Sequence, residues 1–249
     1  MFTKPGDEAS QLASSIATVI QYRSSNSSRS RQKALGISEV GEPCVRKLAY
    51  KLLDTPKVAA ESDPWPSIQG TAIHAWLAEA FERYNTKGAE RFLIEFKVKV
   101  TDEIQGTCDL FDIADKMIID HKCMGAASMK ARKAGGMTAT QRVQVNLYAY
   151  GAKLLGYEVE KVALACYPLG GRLDGLHTII EDYNEELALS AIERLDDIKL
   201  AITSLDLLNN PFNWNSVPSE PSYSCIYCPF YLPGSTDLSV GCPGQVDVA

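Results

Sequence analysis

The segment RFLIEFKVKV, residues 91–100, alternates apolar and polar side chains with a period of two, a pattern that an extended strand with one buried face satisfies. Phe92, Ile94, Phe96, Val98 and Val100 fall on one face, and Glu95, Lys97 and Lys99 on the other. Two further strand-like runs follow at once, QGTCDLFDIAD and KMIIDHKC, joined by a tight turn near Asp115 and Lys116. After them KARKAGGMTA reads as a Gly-containing loop, residues 138–156 as a helix, and KVALACYPL as an apolar strand buried in a sheet. Upstream, Ile73, Leu77, Ala80 and Tyr84 mark a helix running from Thr71 to near NTKG. The order α-β-β-β-α-β predicts an α/β fold.

The periphery is less regular. Residues 9–22 have helical spacing, RSSNSSRSRQK is a polar, serine-rich linker or basic arm, CVRKLAYKLL is a second helix, and SDPWPS breaks the chain. RLDGLHTII pairs as an extra strand, residues 184–205 form a long amphipathic helix, and a loop-rich Cys/Pro/Gly segment closes the chain. With 249 residues and 45% apolar composition, the chain is expected to be one elaborated domain, 1–249. MFTKPGDEAS lacks the basic-then-apolar pattern of a secretory signal and no apolar run approaches a membrane span, so the expectation is a soluble, cytoplasmic protein without a membrane partner. In that compartment seven cysteines argue for reduced thiols or metal ligands rather than disulfides.

A net charge of −6 argues against nucleic acid until it is resolved along the chain. Residues 121–157 contain no acid but carry Lys122, Lys130, Arg132, Lys133, Arg142 and Lys153; residues 9–38 are also acid-free and carry Arg23, Arg29, Arg31 and Lys33. Residues 158–249 hold 14 acids against 4 bases. An acid-free window is commonly only a solvated face. Its position beside IIDHK favours a phosphate-binding groove.

Acid-x-lysine occurs three times, at Glu95–Lys97, Asp120–Lys122 and Asp197–Lys199, and by itself is evidence of nothing. Context separates the three, because residues two apart share a face in a strand and diverge in a helix. Asp197 and Lys199 lie in a predicted helix and cannot converge. Asp120 and Lys122 can, and Asp109 in GTCD is close enough to join them across a hairpin. Two converging carboxylates repel unless a cation lies between them, and oxygen ligands suit Mg²⁺ or Mn²⁺. A bound divalent ion can generate a hydroxide nucleophile while a lysine supports charge growing on a phosphoryl group, which fits phosphodiester hydrolysis best. His74 taken alone reads as a packed histidine, and Glu95 as a surface partner of Lys97 or Lys99. Gln144 and Tyr148 share a helical face with Gln141 a turn earlier. Tyr148, Tyr150 and Tyr157 suit base stacking or core packing equally.

Taken in order, GTAIH, GTCD, IIDHK and QVNLY resemble the PD-(D/E)XK nuclease superfamily, in particular its RecB-like exonuclease branch, which includes the iron-sulfur exonucleases associated with CRISPR adaptation. The resemblance spans residues 38–242, with a nuclease core at 66–168. It implies a restriction-endonuclease-like αβββαβ core, a mixed central sheet flanked by helices, with an added helical N-terminus and a Cys-rich C-terminal segment. It implies His74, Asp109, Asp120 and the backbone carbonyl of His121 as ligands of Mg²⁺ or Mn²⁺, and Asp109, Asp120, Lys122, Gln144 and Tyr148 as the catalytic set. Glu95 would at most be an accessory acid. Lys130, Arg132, Lys133, Gln141 and Arg142 would grip DNA. The implied activity is exonucleolytic hydrolysis of linear or single-stranded DNA ends in recombination, repair or replication, with a recombination or single-strand-annealing protein as partner and oligomerisation left open. Two rivals remain: a non-catalytic DNA-binding module stapled by a metal cluster, and a site-specific endonuclease on the same fold.

Cys225 and Cys228 form C-x-x-C, Cys242 follows after PFYLPGSTDLSVG, and Cys44 stands far upstream in GEPCVRKLAY. The branch carries one N-terminal and three C-terminal cysteines that bind a [4Fe–4S] cluster, and the same layout here implies a cluster clasping Cys44 to residues 220–245. Structural Zn²⁺ on the same four thiolates is the alternative. Cys108, Cys123 and Cys166 read as small buried hydrophobes.

Overall fold

The computed structural model describes residues 5–25, 35–59, 63–85, 88 and 90–244. Its elements are α1 (Pro5–Ser25), α2 (Ile37–Val40), α3 (Val45–Leu52), α4 (Trp65–Asn85), β1 (Phe92–Lys99), β2 (Gln105–Asp112), β3 (Met117–Met124), α5 (Ala126–Gly135), α6 (Ala139–Leu154), β4 (Lys161–Pro168), β5 (His177–Asp182) and α7 (Glu185–Ser204). Short 3₁₀ turns follow at Pro211–Ser216 and Tyr223–Tyr227.

The five strands form one sheet in the order β1-β2-β3-β4-β5. β1–β2, β2–β3 and β4–β5 are antiparallel, and β3–β4 is parallel. A parallel join needs a long crossover, which α5 and α6 supply. Thr138 starts α6 with a reciprocal cap: its side chain accepts from the Gln141 amide while Gln141 Oε1 accepts from the Thr138 amide. The Arg29, Arg31 and Lys33 of the basic arm lie outside the described residues.

Helix α6 is the keel of the core. Val145, Leu147, Ala149 and Ala152 are fully buried, packing with Val98 of β1, Ile118 of β3, Val162 and Leu164 of β4 and Leu195 of α7. At Gly151 an added Cβ would lie 2.8 Å from Val98 Cβ. Gly151→Ala is therefore expected to destabilise the protein by about 1–3 kcal/mol through overpacking, read from chemical denaturation.

A second apolar cluster of Ala49, Tyr50, Leu207, Trp214, Val217 and Phe230 joins α3 to the C-terminal segment. Tyr50 stacks on Trp214 at 4.4 Å, and its hydroxyl donates to the Leu238 carbonyl. The segment after α7 thus folds back on α3 although it has little secondary structure of its own.

Three local readings need correction. SDPWPS begins a helix instead of breaking the chain: Asp63 accepts from the Trp65 amide at 3.0 Å, and Pro66 lies in the first turn, where a missing N–H costs nothing. Most of KARKAGGMTA is helical, because Met129 anchors α5 in the core and the helix ends only at Gly136, whose φ is 68°. Finally, β1 does not alternate throughout. Leu93 packs on the core with Phe96, whereas Phe92 turns to Phe81 and Tyr84 of α4. The register is interrupted at Glu95, whose φ is 47°.

Candidate active site

Backbone pairing of β2 with β3 runs from Asp112↔Met117 to Leu110↔Ile119. One step on, the His121 amide donates to Asp109 Oδ2 at 2.8 Å. A carboxylate therefore takes an amide at the point where a ladder would continue with a carbonyl. Asp109 Oδ1 lies 3.4 Å from His74 Nδ1, which α4 brings over the sheet. The hydrogen bond to Asp109 raises the His74 pKa above its ordinary value. Burial acts to push Asp109 up, but His74 and the His121 amide together hold it below the usual carboxylate range.

Asp120 is 1% exposed. Its Oδ1 accepts from Gln144 Nε2 of α6 at 2.9 Å, and its Oδ2 lies 2.6 Å from Lys122 Nζ. The ammonium is close enough to offset the charge but approaches off the hydrogen-bonding direction, so Oδ2 is buried with its hydrogen-bonding capacity unmet among the described residues. Burial pushes the Asp120 carboxyl up to about 6 despite Lys122. Tyr148, a turn along from Gln144, is buried at the same wall, and desolvation raises its pKa.

The His121 ring lies edge-on to His74 at 5.9 Å, parallel to Phe81 at 5.9 Å and edge-on to Tyr167 at 5.5 Å, with the Tyr167 hydroxyl 3.3 Å from Nδ1. Burial lowers its pKa to about 4, so the neutral ring is an apolar tie between α4 and β3. Neither this role nor Tyr167 was visible in the sequence.

Among the described residues, three metal-ligating side chains bring donor atoms mutually within 4.8 Å: His74, Glu95 and Asp109. Asp120 stands outside that trio, joined to Asp109 through the adjacent His121 amide. Glu95 reads from the sequence as a surface partner of Lys97 or Lys99 and at most an accessory acid. Lys99, offered as its partner, pairs instead with Asp102 at 2.6 Å, and the Glu95 carboxylate stands with His74 and Asp109. The hairpin register carried the missing signal. Glu95 falls between Ile94↔Leu110 and Phe96↔Cys108, hence opposite Asp109. A non-glycine residue in this left-handed conformation costs about 1–2 kcal/mol, and such strain gathers at functional sites.

The donor set of carboxylates and one imidazole, next to a buried oxygen whose hydrogen-bonding capacity is unmet, fits a divalent cation. The basic window is less open than its composition implied. Arg142 pairs with Glu181 of β5 at 2.8 Å, Lys153 pairs with Glu185 of α7, Gln141 caps α6, and Arg132 donates to the Gly136 carbonyl at 2.8 Å. Lys130 and Lys133 remain exposed on α5 and form no ion pair among the described residues. All three tyrosines pack within the protein: Tyr148, at the wall beside Asp120, and Tyr150 belong to the core, and Tyr157 meets Phe96 and Phe111 edge-on.

Cys44, Cys225, Cys228 and Cys242 line one cavity with an empty volume of about 340 Å³, part of it open to solvent, together with Arg46, Lys47 and Tyr50. The long gap before Cys242 is spanned by a bridge between Tyr231 and Cys242, in which the Cys242 amide donates to the Phe230 carbonyl at 2.8 Å. Arg46 Nη1 approaches Cys242 Sγ at 3.5 Å, and the Ser222 amide approaches Cys225 Sγ at 3.4 Å. Donors aimed at sulfur suit thiolates. Cys108 and Cys166 are fully buried and Cys123 partly so, at a distance from this cavity's lining.

No protein-family model matches the chain, and no curated protein matches it. Among solved structures it is similar to an alkaline exonuclease from Laribacter hongkongensis, with 13% identity over 71% of this chain and 91% of that one and a TM-score of 0.50. The same enzyme in complex with dAMP gives 14% identity over 70% and 90%, again at 0.50. A phage-related exonuclease from Haemophilus somnus 129PT gives 17% identity over 62% and 77%, at 0.41. The first two likenesses establish the fold: a restriction-endonuclease-like α/β architecture, its five-stranded mixed sheet flanked by helices. Among the described residues no helix is long and apolar enough to cross a membrane.

Proposed function

We propose that this chain is a divalent-metal-dependent deoxyribonuclease that removes nucleotides from DNA ends, serving recombination, repair or replication. One observation carries the reading: a buried Asp120, with one oxygen lacking a hydrogen bond, stands against Lys122 at the point where β2 and β3 part and Asp109 turns toward His74. A carboxylate buried to this degree is costly unless cations offset its charge, and Lys122 supplies one of them. The fold shared with an enzyme named as an alkaline exonuclease, solved with dAMP, supports DNA as the substrate.

Mg²⁺ or Mn²⁺, held by His74 and Asp109 beside Asp120, would supply Lewis acidity and a more acidic water. The chain's own groups do the rest. Gln144 fixes the Asp120 carboxylate by holding Oδ1. The Lys122 ammonium supports charge that develops on the phosphoryl oxygens. Lys130 and Lys133 on α5 attract the phosphate backbone. Replacing both with alanine is expected to weaken duplex binding and to flatten the slope of log K against log[salt] by about 0.9 for each phosphate no longer neutralised, read by fluorescence anisotropy across a salt series.

The four cysteines are read as a [4Fe–4S] clasp rather than a zinc site. The four thiols line one cavity with Arg46 and Lys47 beside them, where a cluster would clasp Cys44 to the C-terminal segment.

The function is tested with end-labelled linear duplex and covalently closed circular duplex, each incubated with protein in Mg²⁺ or Mn²⁺ and in chelator. Mononucleotide release from linear DNA alone, abolished by chelator, is expected. Nicking of closed circles at defined positions would indicate a site-specific endonuclease, and binding without cleavage in either metal would indicate a non-catalytic module.

A further inference from the structure

We infer that Glu95 is a third side-chain ligand of the divalent cation, holding it with His74 and Asp109 beside the Asp120–Lys122 pair rather than between its members. The inference deepens the nuclease reading and rests on it for the cation's use, though not for its binding. Three separate elements converge here: α4 brings an imidazole, β1 and β2 a carboxylate each, all within 4.8 Å. Glu95 and Asp109 are opposite one another on adjacent antiparallel strands, where like charges repel. His74 touches Asp109 through Nδ1, which leaves Nε2 as its second ring nitrogen. A divalent ion reconciles two carboxylates and an imidazole in a way that a single proton cannot.

The next acid along the sheet, Asp120, is buried, with Oδ2 2.6 Å from Lys122 Nζ and its other oxygen engaged by Gln144. Asp120 is thus committed toward α6, and Glu95 completes the side facing α4. The imidazole donor makes the trio better suited to Mn²⁺ than to Mg²⁺, which favours an all-oxygen octahedron.

The test is direct Mn²⁺ titration of the purified full chain, by calorimetry and by the electron paramagnetic resonance signal of free Mn²⁺, together with melting curves with and without Mn²⁺. Glu95→Gln and Glu95→Gly are expected to weaken Mn²⁺ binding at least tenfold and to abolish the Mn²⁺-induced rise in Tm, while Lys97→Gln on the same strand changes neither. Glu95→Gly is further expected to raise the metal-free Tm, since glycine accepts a φ of 47° without strain. Mn²⁺ affinity within twofold of wild type in both Glu95 variants, or no Mn²⁺ binding by the wild type at millimolar metal, overturns the assignment. Tight Mn²⁺ binding that depends on Glu95, in a wild-type protein that cleaves no DNA, would instead keep the ligand and reject the nuclease reading.

Discussion

Asp120→Ala is expected to lower the rate of DNA hydrolysis by about 10³-fold or more, with DNA affinity changed only a few-fold. The carboxylate lies at the meeting point of the arrangement: Gln144 holds one oxygen and Lys122 stands against the other. Removing it leaves an ammonium and an amide facing each other across a void, and the surrounding lysines that attract DNA are untouched. Single-turnover cleavage and anisotropy on the same preparation separate the two effects. Asp120→Asn provides the structural control. Burial raises the folded-state pKa of Asp120 to about 6, above the ordinary carboxylate value, so in the metal-free protein this group favours folding less as pH rises through that interval and remains unfavourable above it. The neutral amide escapes that penalty. Metal-free Asp120→Asn should therefore melt at or above the wild-type temperature at pH 8 while remaining inactive. A variant that cleaves at the wild-type rate would remove Asp120 from the chemistry.

Cys228→Ser is expected to produce the second large effect, on stability and colour rather than on the chemistry itself. The C-terminal segment has few regular hydrogen bonds and is tied to α3 by the Tyr50–Trp214–Phe230 cluster and by the cavity that the four cysteines line. A cluster bridging Cys44 to Cys225, Cys228 and Cys242 closes most of the chain into a loop, which restricts the unfolded state. Loss of one ligand should bleach the visible absorbance of anaerobically purified protein and lower Tm by about 5–15 °C, the range for a loss of a few kcal/mol in a chain of this size. A colourless wild-type protein with one zinc per chain would replace the cluster by zinc. An unchanged Tm and metal content in the variant would remove Cys228 from the clasp.

The αβββαβ order was legible because its signals are local. Period-two runs and one long helical pattern survive without tertiary context, and Asp120 with Lys122 was recoverable because residues two apart on a strand share a face. What escaped depended on partners distant in sequence. The helical nature of residues 126–135 is secured by Met129 entering a core made by other elements, and two glycines at its end disguised it. Arg142 looked like a DNA contact because its partner, Glu181, lies on β5, beyond the intervening β4. Glu95 escaped for a different reason. Alternation presumes uniform strand geometry, and the left-handed backbone at Glu95 breaks that uniformity at the residue where it mattered most. Only the pairing of β1 with β2 shows that Glu95 stands opposite Asp109.

The most direct test of a metal-dependent site at this hairpin is a crystal of the full chain grown with Mn²⁺ and measured at the manganese absorption edge. The expected result is an anomalous peak within about 2.2 Å of an Asp109 carboxylate oxygen, on the His74 side of the parted β2 and β3 strands. Manganese bound only elsewhere, with the Asp109 carboxylate lacking any metal contact at saturating Mn²⁺, would contradict it.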